Sequence, residues 1–184
     1  MRVIAGKARR LQLLTPQGFE TRPTTDKIKE TLFNILNPYL ADSDFLDLFA
    51  GSGAIGIEAL SRGAKYAAFV EDSKDALDCI KANLQTTKLS KDAEIFPNNV
   101  LDTIRILEIK GKVFDVIFMD PPYNQKLEKE VLLALSNSTI IYCDTIIVIE
   151  ASLKTDFEYL EDTKFQIFKK KEYKTSQHVF IEIK

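Results

Sequence analysis

From residue 45 onward the chain alternates short apolar runs with segments of helical period. The runs are FLDLF (45–49), YAAFVE (66–71), AEIF (93–96), VFDVIFM (113–119) and TIIVIEA (145–151), and helices are expected to begin near Ala54, Ser73, Asn99 and Gln125. Such short, nearly continuous apolar runs suit strands buried on both faces, so the alternation predicts an α/β fold with a parallel sheet between helices. FQIFKKKEY (165–173) and QHVFIEIK (177–184) read as a terminal antiparallel hairpin around Lys174–Ser176, completing a sheet of seven strands. At the front, RVIAG and KARRLQLLTP alternate enough to predict a short hairpin. A helix follows in RPTTDKIKETLFNILNPYL, capped by Thr24 or Thr25, with Asp26 in its first turn and an apolar stripe of Ile28, Leu32, Ile35 and Leu36 ending before Pro38.

A chain of 184 residues with 45% apolar content can bury one sizeable core, which predicts a single domain over 1–184: a basic extension over 1–44 and a catalytic core over 45–184. No apolar run reaches the ~20 residues of a membrane span, and MRVIAGKARR has no signal-peptide apolar region, so a cytoplasmic protein is expected. Cys79 and Cys143 show no metal or redox spacing and are expected to be packing residues, with no metal site. Residues 1–37 hold seven Lys/Arg against three acids, net +4, which leaves −6 for the rest of a chain whose total is −2. This front is a candidate footprint for nucleic acid, through Arg2, Lys7, Arg9, Arg10, Arg22 and Lys27. A solvated charged face would produce the same count.

Candidate chemistry begins in GSGAIG, where Gly51, Gly53 and Gly56 fit the G-x-G-x-x-G loop between a strand and a helix. Several nucleotide cofactors share that loop. Glu71 closes the second strand, where a carboxylate can accept hydrogen bonds from ribose hydroxyls, and this suits a dinucleotide and S-adenosylmethionine equally. Asp47, at the end of the first strand, separates them. Its carboxylate suits the ammonium of S-adenosylmethionine and would repel a pyrophosphate.

The stretch FDVIFMDPPY (114–123) then runs an apolar strand into Asp120-Pro121-Pro122-Tyr123. Two prolines fix φ and remove two N–H donors, leaving a stiff turn that presents carbonyls. The Asp120 carboxylate and Pro121 carbonyl make a rigid acceptor pair beside the ring of Tyr123. An exocyclic amino group on a planar base fits this pair, because its lone pair is delocalised and must be oriented toward the sulfonium methyl while charge grows on nitrogen. Tyr123 would stack on the base.

With these blocks in view, the chain resembles the Rossmann-like class I methyltransferases, and within them the RsmD-type small-subunit (16S) ribosomal RNA guanine-N2 methyltransferases. The resemblance rests on RPTTDKIKETLFNIL (22–36), DLFAGSGAIGIEALSRGA (47–64), FVE (69–71) and MDPPY (119–123). DPPY alone is shared with adenine-N6 DNA methyltransferases. The resemblance implies S-adenosylmethionine as cofactor, with Asp47, Gly51 and Gly53 at its methionine end, Glu71 at its ribose, and Phe49 and Asp72 as further cofactor-binding residues. Asn99 and Val100 would lie at the adenine, with Asn98 or Asp102 as alternatives, since FPNNVLD lacks the Asp that many methyltransferases carry there. Asp120, Pro121, Pro122 and Tyr123 would be the catalytic residues. The implied substrate is 16S rRNA on an assembled or assembling small subunit, met by a monomer.

The chain leaves no separate target-recognition domain once the sheet is assigned, which favours an RNA recognised by shape and an exposed base over sequence-specific DNA. Adenine-N6 methylation of DNA or RNA, a non-catalytic RNA-binding or ribosome-assembly role and a nicotinamide oxidoreductase are the competing readings. His178, the lone histidine, has no Ser or Cys partner in its hairpin and reads as structural, and Lys169–Lys171 as a solvated strand edge that could also touch RNA.

Overall fold

A computed structural model of the protein describes residues 1–16, 26–122 and 127–184. Among the described residues the strands are β1 (Asp44–Asp47), β2 (Tyr66–Val70), β3 (Ala93–Phe96), β4 (Val116–Met119), β5 (Ile146–Ser152), β6 (Phe165–Glu172) and β7 (Ser176–Ile183). They form one sheet in the order β3-β2-β1-β4-β5-β7-β6. β1 to β5 pair in parallel, and β7 runs antiparallel to both β5 and β6. The helices are α1 (Asp26–Leu36), α2 (Ala54–Arg62), α3 (Lys74–Thr87), α4 (Val100–Ile109) and α5 (Leu127–Ser136). This is the Rossmann-like α/β sheet with a C-terminal antiparallel pair that the alternation of runs predicts.

Because strand side chains alternate between faces, each run feeds two cores. Phe45, Phe69, Phe118, Val148 and Phe180 face one layer with Leu32, Phe33, Ile57 and Ile80. Leu46, Ile117, Met119, Ile147 and Ile149 face the other, packed with Ile104, Leu107, Val131 and Leu135. Among the described residues no helix is long and apolar enough to cross a membrane.

At finer scale one expectation holds and two change. The front hairpin forms and is short: one antiparallel bridge, Arg2 with Gln12, is flanked by bonds from Val3 N–H to the Leu11 carbonyl, Arg10 N–H to the Val3 carbonyl and Leu13 N–H to the Met1 carbonyl. The residues between its arms bond to α2: Ile4 and Ala5 N–H donate to the Glu58 carboxylate, and Ala8 N–H to Ser61 Oγ. The buried face of α1 is Lys29, Leu32, Phe33 and Leu36, with Ile28 and Ile35 only partly covered. Lys29 is 0% exposed because Glu58, also fully buried, receives its Nζ at 3.3 Å, and the Arg2 carbonyl accepts from it at 2.6 Å. An unpaired lysine would have stayed outside, which is why the stripe read from apolar residues alone is rotated. Thr24 and Thr25 lie outside the described residues. Cys143 is exposed on the turn before β5 and is not a packing residue, whereas Cys79 is half-buried on α3.

Candidate active site

Strand order reverses between β1 and β4, and in a doubly wound sheet the crevice beyond the carboxyl ends of the strands at such a point receives ligands. The residues singled out in the sequence converge there. Asp47 ends β1, Glu71 follows β2, Asn99 opens α4 after β3, and Asp120 follows β4.

The glycine loop divides its labour. Gly53 is the residue before α2 and has φ 77°, and Gly51 has φ 53°, both in the left-handed region. A Cβ on Gly56 would come within 2.4 Å of the Phe69 ring, so that glycine serves helix-to-strand contact. A Cβ on Gly51 would meet nothing within 4 Å, so packing does not demand glycine there. Its backbone conformation does, and the space beside it is open.

Asp47 is buried, and its Oδ2 accepts from Gly56 N–H at 3.1 Å while Oδ1 is enclosed without a partner. A buried acceptor without a donor is costly, and it suits a ligand cation. Burial, assisted by the Glu71 charge and opposed by the backbone N–H groups of Gly56 and, more weakly, Phe49, pushes the Asp47 carboxyl up to about 7. The Glu71 carboxylate accepts three backbone N–H groups: Gly51 at 2.8 Å, Asp72 at 3.0 Å and Ser73 at 2.9 Å. Of roughly four acceptor positions on a carboxylate, this leaves one on Oε2 for a ribose hydroxyl. Asn99 caps α4, its Oδ1 accepting from Asp102 N–H at 2.9 Å and its amide donating to Asp102 Oδ2 at 2.5 Å. Asn99 and Asp102 are thus bound to each other, whereas Asn98 lies half-buried beside them. Phe49 is half-buried beside the loop, Asp72 is exposed, and Val100 packs on the second core.

Asp120 stands just past β4, with Pro121 buried behind it and Pro122 exposed. Tyr123 lies outside the described residues. Surrounding protein raises the Asp120 carboxyl well above the ordinary range, and the Glu150 and Asp47 charges add to this. Its side chain is nonetheless open to solvent, which screens those neighbours, so the shift is upward but moderated.

Residues 1–182 match the family described as conserved hypothetical protein 95. The chain belongs to this family. The ribosomal RNA small subunit methyltransferase D of Haemophilus influenzae is 40% identical over 153 residues, covering 82% of this chain and 78% of that protein. The protein of the same name from Escherichia coli is 35% identical over 154 residues, covering 84% and 76%. Among solved structures, a candidate methyltransferase from Escherichia coli, yhhF, superposes with a TM-score of 0.85 at 29% identity, covering 100% of this chain and 98% of its own. A hypothetical protein from Thermus thermophilus gives 0.83 at 26% identity, covering 100% and 99%. The RsmD-type resemblance read from the glycine loop and DPPY is therefore established at the level of family and fold.

Within this family frame, the basic front is partly neutralised. Arg2 pairs with Asp26 at 2.7 Å and Lys7 with Asp92 at 3.3 Å, while Arg9, Arg10 and Lys27 are exposed. Arg22 lies outside the described residues. The lysine run sits on β6, which is indeed a sheet edge, and Lys169 and Lys171 line a groove with Ile35, Tyr39 and Phe168. Glu150 is absent from the residues singled out in the sequence, although IIVIE ends an apolar run in an acid just as AAFVE and VIFMD do.

Proposed function

We propose that the protein transfers the methyl group of S-adenosylmethionine to the exocyclic N2 amino group of a guanine in 16S ribosomal RNA. The acceptor is presented on an assembled or assembling small subunit, and the protein acts as a monomer in the cytoplasm. The observation that carries the reading is the pairing of Asp47, with its enclosed and unpartnered Oδ1, and Asp120 of DPPY at one strand switch point, in a chain whose relatives are named for small-subunit RNA methylation.

S-adenosylmethionine would supply an electrophilic methyl on a sulfonium. The residues present fit it: Asp47 Oδ1 offers a buried acceptor to the ammonium, the open side of Gly51 admits close backbone approach, and Glu71 keeps a lone-pair position for the ribose. Asn98, Asn99 and Val100 border the adenine end. Asp120 and the Pro121 carbonyl accept the two N–H bonds of the guanine amino group, which turns the nitrogen lone pair toward the methyl. As the N–C bond forms and the C–S bond breaks, releasing S-adenosylhomocysteine, they stabilise the positive charge on nitrogen until one N–H proton is lost to Asp120 or water. Tyr123 stacks on the base. Arg9, Arg10 and Lys27, with Lys169 and Lys171 in the β6 groove, supply phosphate contacts, and exposed Tyr39 offers a stacking face.

Mass mapping of ribosomal RNA from a deletion strain tests this. One small-subunit guanine should lose an N2 methyl, and purified protein with S-adenosylmethionine should restore it on small-subunit particles. Loss of a methyl from adenine N6 instead would transfer the site to the competing enzyme reading.

A further inference from the structure

We propose that Glu150 reads the base: it accepts the N1–H of guanine beside the amino group held by Asp120, and so selects guanine over bases whose neighbouring ring nitrogen has no hydrogen. This rests on the function proposed above and assigns the choice of base to a residue outside DPPY.

The placement comes from strand register. Met119 pairs with Ile149 across parallel β4 and β5, so Asp120 and Glu150 are the next positions along neighbouring strands about 4.8 Å apart. Met119 and Ile149 face the second core, so by alternation Asp120 and Glu150 point to the opposite face, the side of Phe118 and Val148. The Glu150 charge is accordingly among the causes that raise the Asp120 carboxyl. Glu150 is 8% exposed, an unusual setting for a carboxylate with no Lys or Arg on it among the described residues.

Its orientation is set from behind. Glu150 pairs with His178 across β5 and β7, and His178 Nε2 lies 3.2 Å from Glu150 Oε2. His178 is 0% exposed, and its Nδ1 lies 3.0 Å from the Tyr173 hydroxyl. Glu150 Oε2 can only accept, so Nε2 carries a proton; burial and the Glu150 charge push Tyr173 up to about 12, which keeps its O–H protonated and able to donate to Nδ1. The imidazole then donates its Nε2 proton to Glu150. Tyr173 and His178 are positioning residues. They occupy Oε2 and leave Oε1, which accepts no bond from the described residues, for a ligand.

The chemistry discriminates. Guanine presents N1–H and the N2 amino group as adjacent donors on one edge, which two neighbouring carboxylates can accept together. Adenine and 2-aminopurine each set a bare ring-nitrogen lone pair beside the amino group, and a carboxylate facing it leaves two acceptors opposed without a proton. A site built to accept a substrate N–H rejects the analogue that lacks it.

The test uses small-subunit particles in which the guanine located by mass mapping is replaced by 2-aminopurine, which keeps the 2-amino group and lacks N1–H. The unaltered protein should methylate guanine about 10- to 100-fold faster than 2-aminopurine. In Glu150→Gln the amide N–H can donate to the bare nitrogen, so the ratio should move toward one. 2-Aminopurine also lacks the guanine carbonyl, but that loss is common to both proteins, and the change in ratio isolates the N1 contact. Equal rates on both bases with the unaltered protein, or an unchanged ratio in a folded Glu150→Gln, would overturn the assignment. Should Glu150→Gln fail to fold, Glu150→Asp retains the charge but withdraws the oxygen, and the ratio should fall; an unchanged ratio again overturns the assignment. No guanine methylation by the unaltered protein would overturn the proposed function, and with it this reading, and is told apart by its independence of any variant.

Discussion

Gly51 donates its N–H to Glu71 Oε2 at 2.8 Å, tying the loop after β1 directly to the end of β2. Glu71 therefore does two jobs in the cofactor site, bracing the glycine loop and offering a remaining lone pair to a ribose. Glu71→Ala removes both, and S-adenosylmethionine affinity should fall by at least ~1.5–3 kcal/mol, the range for hydrogen bonds to charged groups. Calorimetry reads the change. Undiminished affinity in a folded variant would take Glu71 out of the site.

Asp47 predicts a pH dependence. Its folded value of about 7 lies above the ordinary 3.8, so the folded state holds an extra proton between the two. Stability from this group accordingly falls as pH rises from near 4 to near 7, and the cost is complete above that. Cofactor binding runs the other way, since an ammonium needs the carboxylate form. Affinity for S-adenosylmethionine should rise with pH toward about 7 and fall again above roughly pH 8, where an α-amino group loses its proton. Asp47→Asn should flatten the acid limb of a calorimetric pH series and leave the alkaline limb in place.

Asp120→Ala should leave cofactor binding intact and cut methyl transfer by ~10²–10³ or more, the cost of one preorganised electrostatic partner. Asp120→Asn keeps an acceptor oxygen without the charge or the ability to take a proton. Clearly higher activity in Asn than in Ala shows that positioning dominates, and equal inactivity shows that the carboxylate takes a proton. A normal rate in Asp120→Ala would remove DPPY from the chemistry.

Arg9 and Arg10 are exposed and bear no ion pair among the described residues, unlike Arg2 and Lys7. Neutralising both should weaken RNA binding and reduce the salt slope by up to about two phosphate contacts, with cofactor affinity unchanged. Lys169 and Lys171, which line the β6 groove, should behave alike. An unaltered slope in both pairs would return these residues to an ordinary solvated face.

Lys29→Met strands the buried Glu58 with Arg62 Nε at 2.8 Å and two backbone N–H groups. Removing one partner from a buried ion pair costs ~3–5 kcal/mol, and the surviving partners place this variant near the low end. Denaturant midpoints should show the loss, with partial recovery in the double variant Lys29→Met/Glu58→Gln. Stability equal to the unaltered protein would mean that the pair does not hold α1 and the front loop to α2.

The sequence by itself determined the runs that become β1 to β7, the strand-to-helix glycine loop, and acids at the strand ends, because backbone periodicity, left-handed φ and proline stiffness are local properties. It also carried the family, through blocks that are contiguous in the chain. Tertiary structure decided the rest. Lys29 counts as surface charge until Glu58, 29 residues on, is seen to receive it. Glu150 follows an apolar run as Glu71 and Asp120 do, but its neighbours are not legible there: a parallel sheet places Asp120 beside residue 150, and an antiparallel return places residue 150 opposite 178. Pairing register is set by which faces are buried across the whole sheet, so no local pattern announces the Asp120, Glu150 and His178 row, and only the folded chain brings it to one edge.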